Sequence, residues 1–253
     1  MTIDYSARSH VGRVRGNNED NLYVDGVTLT TNMRERPFTI DGTSALPANF
    51  AVCDGMGGED NGEIASLLAV KELHNIRERI KSGLSERLGE TVQSYVNKVN
   101  ESIRSETNLT GRRTGTTLAL AVLSENGVYC FNLGDSRIYS LQRTDFKQTT
   151  NDHSLGNKLT RCIGIGDSQD VEEYPPILGD CRILICSDGL TDMVSESVIE
   201  KILRASERTS NAADYLLNEA LTNGGKDNVT IIVADIKDTK KPFFHSFVKI
   251  LKG

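Results

Sequence analysis

Phe50-Ala51-Val52-Cys53-Asp54-Gly55-Met56-Gly57-Gly58 joins a short apolar run to an aspartate and three glycines within five residues. The run reads as a buried strand that stops abruptly. Glu59, Asp60, Asn61 and Glu63 then favour a helix start, and apolar residues recur at helical spacing beyond them. A carboxylate at a strand end beside glycines can bring its own oxygens and backbone carbonyls close to an ion or a phosphate. A tight turn without chemistry suits the same stretch equally well. The weight therefore falls on whether other strand ends repeat it.

They do. Cys181-Arg182-Ile183-Leu184-Ile185-Cys186 ends at Ser187-Asp188-Gly189-Leu190, with Asp192 four residues beyond Asp188. Val128 to Leu133 passes through Gly134-Asp135-Ser136 into Arg137 to Leu141. Asp227 stands at the start of Val229 to Ala234, and Asp20 precedes Leu22-Tyr23-Val24. Locally, Asp135 is accounted for by turn chemistry alone. Arg15 lies five residues before Asp20, so a cation and a carboxylate could share a site across that turn. A solvated loop with an ion pair of little worth explains the same residues, and on local grounds explains them better.

The remaining chain supplies the frame. Ala65, Ala69, Leu73, Ile76 and Ile80 form one helical stripe, ended by Ser82-Gly83, and Leu88, Val92, Val96, Val99 and Ile103 form a second. The two predict an antiparallel pair covering a sheet. Glu125-Asn126-Gly127 is a hairpin turn between Thr116–Leu123 and Val128–Leu133. Two more amphipathic helices are predicted over 195–205 and 210–222, and residues 26–48 read as a surface loop or irregular hairpin. His74 falls off its stripe and reads as a surface residue; His153, in the loop after Asp152, reads as a tether rather than a base.

A chain of 253 residues can bury a substantial core, and without repeats or a Pro/Ser-rich linker it reads as one domain over 1–236. Residues 237–253 form a basic, amphipathic tail. The net charge of −6 argues against a broad nucleic-acid surface. The five cysteines (Cys53, Cys130, Cys162, Cys181, Cys186) form no CxxC and sit mostly in apolar runs. Free buried thiols in a reducing compartment account for them better than disulfides or zinc. No run approaches the ~20 apolar residues of a membrane span, and Met1-Thr2-Ile3-Asp4 has none of the features of a signal peptide. The expectation is a cytoplasmic protein.

If the strands carrying Asp20, Asp54, Asp188 and Asp227 are neighbours, four carboxylates meet at one edge, which is strongly unfavourable without cations. Oxygen donors with few His or Cys suit Mg²⁺ or Mn²⁺ rather than Zn²⁺. Two such ions acidify a water into a nucleophile for phosphorus.

These blocks resemble the metal-dependent protein phosphatases, the type 2C serine/threonine phosphatases, in a bacterial form. The matching segments are Arg15–Asp20, Val52–Gly58, Gly115–Leu118, Asn132–Arg137, Asp152–Ser154, Ser187–Leu190 and Gly225–Val229, in the family's order. The resemblance implies an α+β, four-layer α-β-β-α sandwich with two central, mainly antiparallel sheets. It implies that Asp54 bridges two Mn²⁺ or Mg²⁺ ions, with the Gly55 carbonyl as a further ligand. Asp188 and Asp227 would hold one ion, Asp20 would act mainly through metal-bound water, and Glu19 would support them from behind. Arg15 would clamp the substrate phosphate, for which its planar fork is suited. Asp135 would hold a third, weaker metal with Asp188, assisted by Asp192. The implied substrates are phosphoproteins, the implied partner is a cognate serine/threonine kinase, and a monomer is expected.

Two departures stand out. Met56 occupies a position where some relatives carry a histidine proposed as general acid, and a thioether has no proton to donate. Between Ser154 and Leu159 only four residues remain where relatives carry a flap of some tens. A more open site and altered substrate choice are predicted. A regulatory pseudophosphatase is the alternative, which loss of a core aspartate would favour, and none is missing. A two-metal nuclease is disfavoured by the acidic charge.

Overall fold

A computed structural model describes residues 2–33, 36–57, 61–81, 87–156, 158–166 and 169–237. The predicted tail beyond Lys237 lies outside the described residues, as do Gly58, Glu59, Asp60 and the side chain of Ile80.

Among these residues two antiparallel sheets of six strands dominate. One runs in the order β11 (Asp145–Gln148), β10 (Arg137–Gln142), β15 (Cys181–Cys186), β16 (Val229–Lys237), β1 (Thr2–His10) and β4 (Phe38–Ser44). The other runs β14 (Glu172–Ile177), β9 (Gly127–Leu133), β8 (Leu118–Ser124), β5 (Ala48–Cys53), β2 (Asn21–Val24) and β3 (Val27–Thr28). Two ribbons accompany them, β6 (Gly55–Gly57) with β7 (Thr114–Thr116), and β12 (Ser154–Leu155) with β13 (Lys158–Leu159). Helices α1 (Gly62–Lys81) and α2 (Leu88–Thr110) cover the second sheet; α3 (Asp188–Thr191), α4 (Glu196–Ala205) and α5 (Thr209–Thr222) lie on the first. This is the four-layer sandwich.

The continuous apolar runs follow from burial on both faces of each sheet. Side chains alternate along a strand, so a sheet between two layers needs apolar residues at every position. In β5, Phe50 and Val52 face the space between the sheets, where they meet Ile185, Ile232 and Ala234. Their neighbours Ala51 and Cys53 face Ala65, Ala69, Val92 and Val96 on α1 and α2. In β16, Ile232 and Ala234 point inward while Ile231 and Val233 meet Ile199, Leu203 and Leu216 of the other helical layer. Each fully buried side chain of this size contributes ~1.5–3 kcal/mol of transfer free energy. All five cysteines are buried and free.

Three expectations are corrected. Residues 26–48 are not wholly loop: Phe38–Ser44 is an edge strand registered on β1 from Ile3↔Ser44 to Ser9↔Phe38. Its side chains are half-exposed or exposed and include Asp41 and Gly42, which dilutes the alternation that marks a strand. Residues 8–25 read from sequence as two short strands around an acidic connection, but the first strand begins at Thr2 and ends at His10. The Phe50 run does not pass directly into a helix, because Gly55–Gly57 first pairs with Thr114–Thr116.

Candidate metal centre

Both sheets end at the same place. In the second sheet Asn21 pairs with Cys53, which sets Asp20 and Asp54 side by side just past the last rung. In the first, Cys186 pairs with Ile231 and His10 with Val229, so Asp188 and Asp227 sit at the corresponding end. Asp135 joins them, because Leu133 is the last residue of β9, paired with Leu118, and Arg137 opens β10 opposite Cys186.

Buried polar groups lock the two sheet ends together. Ser187 Oγ donates to Asp20 Oδ2 at 2.7 Å and accepts from the Thr230 amide at 3.0 Å, linking carboxylate and strand across the sandwich. Asn228 accepts from the Glu19 amide at 2.7 Å and donates to the Val11 and Asn17 carbonyls at 2.9 Å. The loop carrying Arg15 and Asp20 is thereby fastened to the start of β16. Glu19 supports from behind: its Oε1 accepts from Gly62 N at 3.2 Å and its carbonyl accepts from Ser66 Oγ at 2.6 Å. Two glycines permit the close approaches. A Cβ on Gly55 would collide with the Gly62 carbonyl, and one on Gly189 with the Asn228 carbonyl.

The electrostatics show what the arrangement lacks on its own. Burial, and then the charges of Asp20, Asp188, Asp135 and Asp227, push the Asp54 carboxyl well above the ordinary range. Burial and the charges of Asp135, Asp20, Asp227 and Asp192 raise Asp188 to about 7. Asp135 is raised by burial and by Asp152 and Asp192. Such mutual repulsion is relieved by cations. Arg15 takes that place in part, its Nη2 lying 2.6 Å from Asp227 Oδ2. Among the described residues no three His, Cys, Asp or Glu side chains are grouped closely enough to hold a metal ion by themselves. Mg²⁺-like ions keep several waters and take one or two carboxylates each. The donor set, all hard oxygen, fits Mn²⁺ or Mg²⁺.

Residues 38–223 match the family model described as protein phosphatase 2C. The serine/threonine phosphatase stp of Listeria monocytogenes is 33% identical over 260 residues, covering 92% of this chain and 96% of its own.

The chain belongs to the protein phosphatase 2C family.

It is a protein phosphatase by class. Among solved structures it is similar to the catalytic domain of the serine/threonine phosphatase PstP in complex with two manganese ions. The TM-score is 0.74 at 28% identity, over 94% of this chain and 99% of that one. A bacterial serine phosphatase gives a TM-score of 0.79 at 25% identity, over 94% of this chain and 99% of that one.

The sandwich brings Asp20, Asp54, Gly55, Asp188, Asp227 and Asp135 to one end. Asp192 is exposed at the rim after α3. The hydrogen-bonded carboxylate of Arg15 is Asp227. His153 holds a loop: its Nδ1 accepts from Gly134 N at 3.1 Å, leaving the proton of a neutral ring on Nε2, 2.6 Å from Glu172 Oε2. The roles of Ser187, Asn228, Thr117 and Ser136 were not read from sequence. Each is a small polar residue inside a motif block, and only the pairing of distant strands shows what it touches.

Proposed function

We propose that this phosphatase hydrolyses phosphoserine and phosphothreonine in proteins, reversing the action of a serine/threonine kinase, with Mn²⁺ or Mg²⁺ as its cofactor. The observation that carries the reading is the mutual charge of five aspartates from both sheets at one end of the sandwich. The manganese pair in the PstP relative supports it.

Asp54 would hold both ions with the Gly55 carbonyl as a further ligand, Asp188 and Asp227 would hold one of them, and Asp20, held by Ser187, would support the set. Asp135, with Asp192 at the rim, would hold a weaker third. When bound, the ions supply Lewis-acid charge and a water acidic enough to attack phosphorus. Arg15 binds the phosphate oxygens through its guanidinium fork. It is exposed, and a cation held at Asp227 would compete with the pairing seen here. Glu19, raised in pKa chiefly by burial, holds the start of α1 against the Asp54 strand end. Met56 is half-buried and donates no proton.

Catalysis resides in residues 1–236. No helix among the described residues is long and apolar enough to cross a membrane. The test is phosphate release from a phosphothreonine peptide in Mn²⁺, with EDTA as control, by the full chain and by one ending at Ile236. Equal, EDTA-sensitive turnover is expected from both. A folded, Mn²⁺-binding chain without turnover would favour the regulatory pseudophosphatase.

A further inference from the structure

We infer that Thr117 and Ser136 are positioning residues, a buried hydroxyl pair that couples the ion site at Asp54 to the one at Asp135. The inference deepens the proposed function and rests on its ion-binding reading.

Thr117 stands between β7 and β8 and grips the Asp54 backbone from both sides. Its Oγ1 accepts from the Asp54 amide at 2.9 Å, and its own amide donates to the Asp54 carbonyl at 2.9 Å. The Thr116 hydroxyl donates to the same carbonyl at 3.0 Å. On its far side Thr117 Oγ1 lies 2.7 Å from Ser136 Oγ, next in sequence to Asp135. The two residues are 1% and 0% exposed, so water does not replace either partner readily.

The loop bearing Asp135 is pinned elsewhere too. Gly134 exchanges hydrogen bonds with His153, its amide donating to Nδ1 at 3.1 Å and its carbonyl accepting from the His153 amide at 2.9 Å. Asn132 Nδ2 donates to the same carbonyl at 3.1 Å. Gly134, at φ +125°, packs so closely on the Thr117 side chain that a Cβ would clash with it. Asp135 therefore has little freedom to move independently of Thr117, and Thr117 has little freedom to move independently of Asp54. The hydroxyl bridge thus fixes the spacing between the Asp54 strand end and the Asp135 loop. An ion held at Asp54 would thereby bias the Asp135 loop toward holding the next, a coupling free energy between sites.

The test is calorimetric titration of the full-length protein with Mn²⁺, alongside the Mn²⁺ dependence of turnover and near-UV circular dichroism. Asp135→Asn identifies the weaker binding phase. Thr117→Val and Ser136→Ala should each weaken that phase, and raise the half-saturating Mn²⁺, by ~5-fold or more, the lower end of typical coupling between sites. Thr117→Ser, which keeps the hydroxyl, should restore wild-type behaviour, and the double variant should be no worse than either single one. A merely structural role would give losses that track fold and add up. Wild-type affinity in the weaker phase of Ser136→Ala and Thr117→Val, or an equal loss in Thr117→Ser, overturns the inference. So does a wild-type titration without an Asp135-dependent phase. Should Thr117→Val fail to fold, Ser136→Ala and Thr117→Ser decide. Undiminished tight Mn²⁺ binding by Asp54→Asn would instead overturn the ion-binding reading, and the inference with it.

Discussion

Arg15 Nη2 lies 2.6 Å from Asp227 Oδ2, tying the loop before β2 to the loop before β16. The side chains are 52% and 34% exposed, so the pair adds at most ~1 kcal/mol to stability. Under the proposed function, Arg15 shares that carboxylate with a cation and binds the substrate phosphate. Arg15→Ala should leave the unfolding midpoint intact and should not weaken Mn²⁺ binding, since the guanidinium competes for Asp227. It should raise KM for a phosphothreonine peptide by ~10-fold or more, the value of a charge-assisted hydrogen bond. An unchanged KM would remove Arg15 from phosphate binding.

The metal-free protein should lose stability as pH rises. Asp188 titrates at about 7 in the fold, and Asp54 is also raised, whereas an unfolded aspartate releases its proton near 3.9. Between those values the folded state holds protons that the unfolded chain has lost. Their contribution is therefore fully present below about pH 4 and lost as pH rises through about 7. In EDTA, wild type should melt progressively lower across that window, and Asp188→Asn should show a shallower slope. Mn²⁺ should flatten the wild-type profile. Parallel slopes for the two proteins in EDTA would contradict this.

Gly55→Ala should be costly for the fold as well as for the site. The new Cβ would press on the Gly62 carbonyl and on the Glu19 carbonyl, both backbone atoms. Forced overpacking of this kind costs ~1–3 kcal/mol. Urea unfolding should show a lower midpoint with an unchanged m-value. A wild-type midpoint would mean that β6 and α1 do not meet so closely.

Between Asp152-His153-Ser154 and Leu159, where the family resemblance leads one to expect a flap, this chain has a two-rung ribbon, Ser154↔Leu159 and Leu155↔Lys158. Leu155 is 80% exposed there. A ribbon of this size offers little surface to a substrate's flanking residues. A series of phosphopeptides with varied flanks should therefore differ less in kcat/KM than with a flap-bearing relative. Equal selectivity in the two enzymes would show that discrimination lies elsewhere.

The parts legible in sequence were those with strong local signals. Phe50–Cys53, Ile183–Cys186 and Ile231–Ala234 are apolar throughout because both faces of each sheet are covered. The stripes of α1 and α2 are regular for a similar reason, each facing one sheet. The strands that escaped notice are edge elements: Phe38–Ser44, half in water, and Glu172–Ile177, whose Pro175 and Pro176 argue locally against a strand. At the site the aspartates stood out because each sits beside glycine or at a strand boundary. The residues that aim them did not. Ser187 reaching Asp20 and Asn228 reaching Val11 are contacts across more than 160 residues, which no local pattern encodes.

The most direct test of the account is phosphate release from a phosphothreonine peptide in Mn²⁺, comparing wild type with Asp54→Ala and Asp188→Ala, each checked for fold by circular dichroism. Metal-dependent turnover in the wild type, lost by ~10²-fold or more in both variants, is the expected result for residues that hold the hydrolytic ions. Turnover that survives in either folded variant, or that persists in wild type after EDTA, would contradict it.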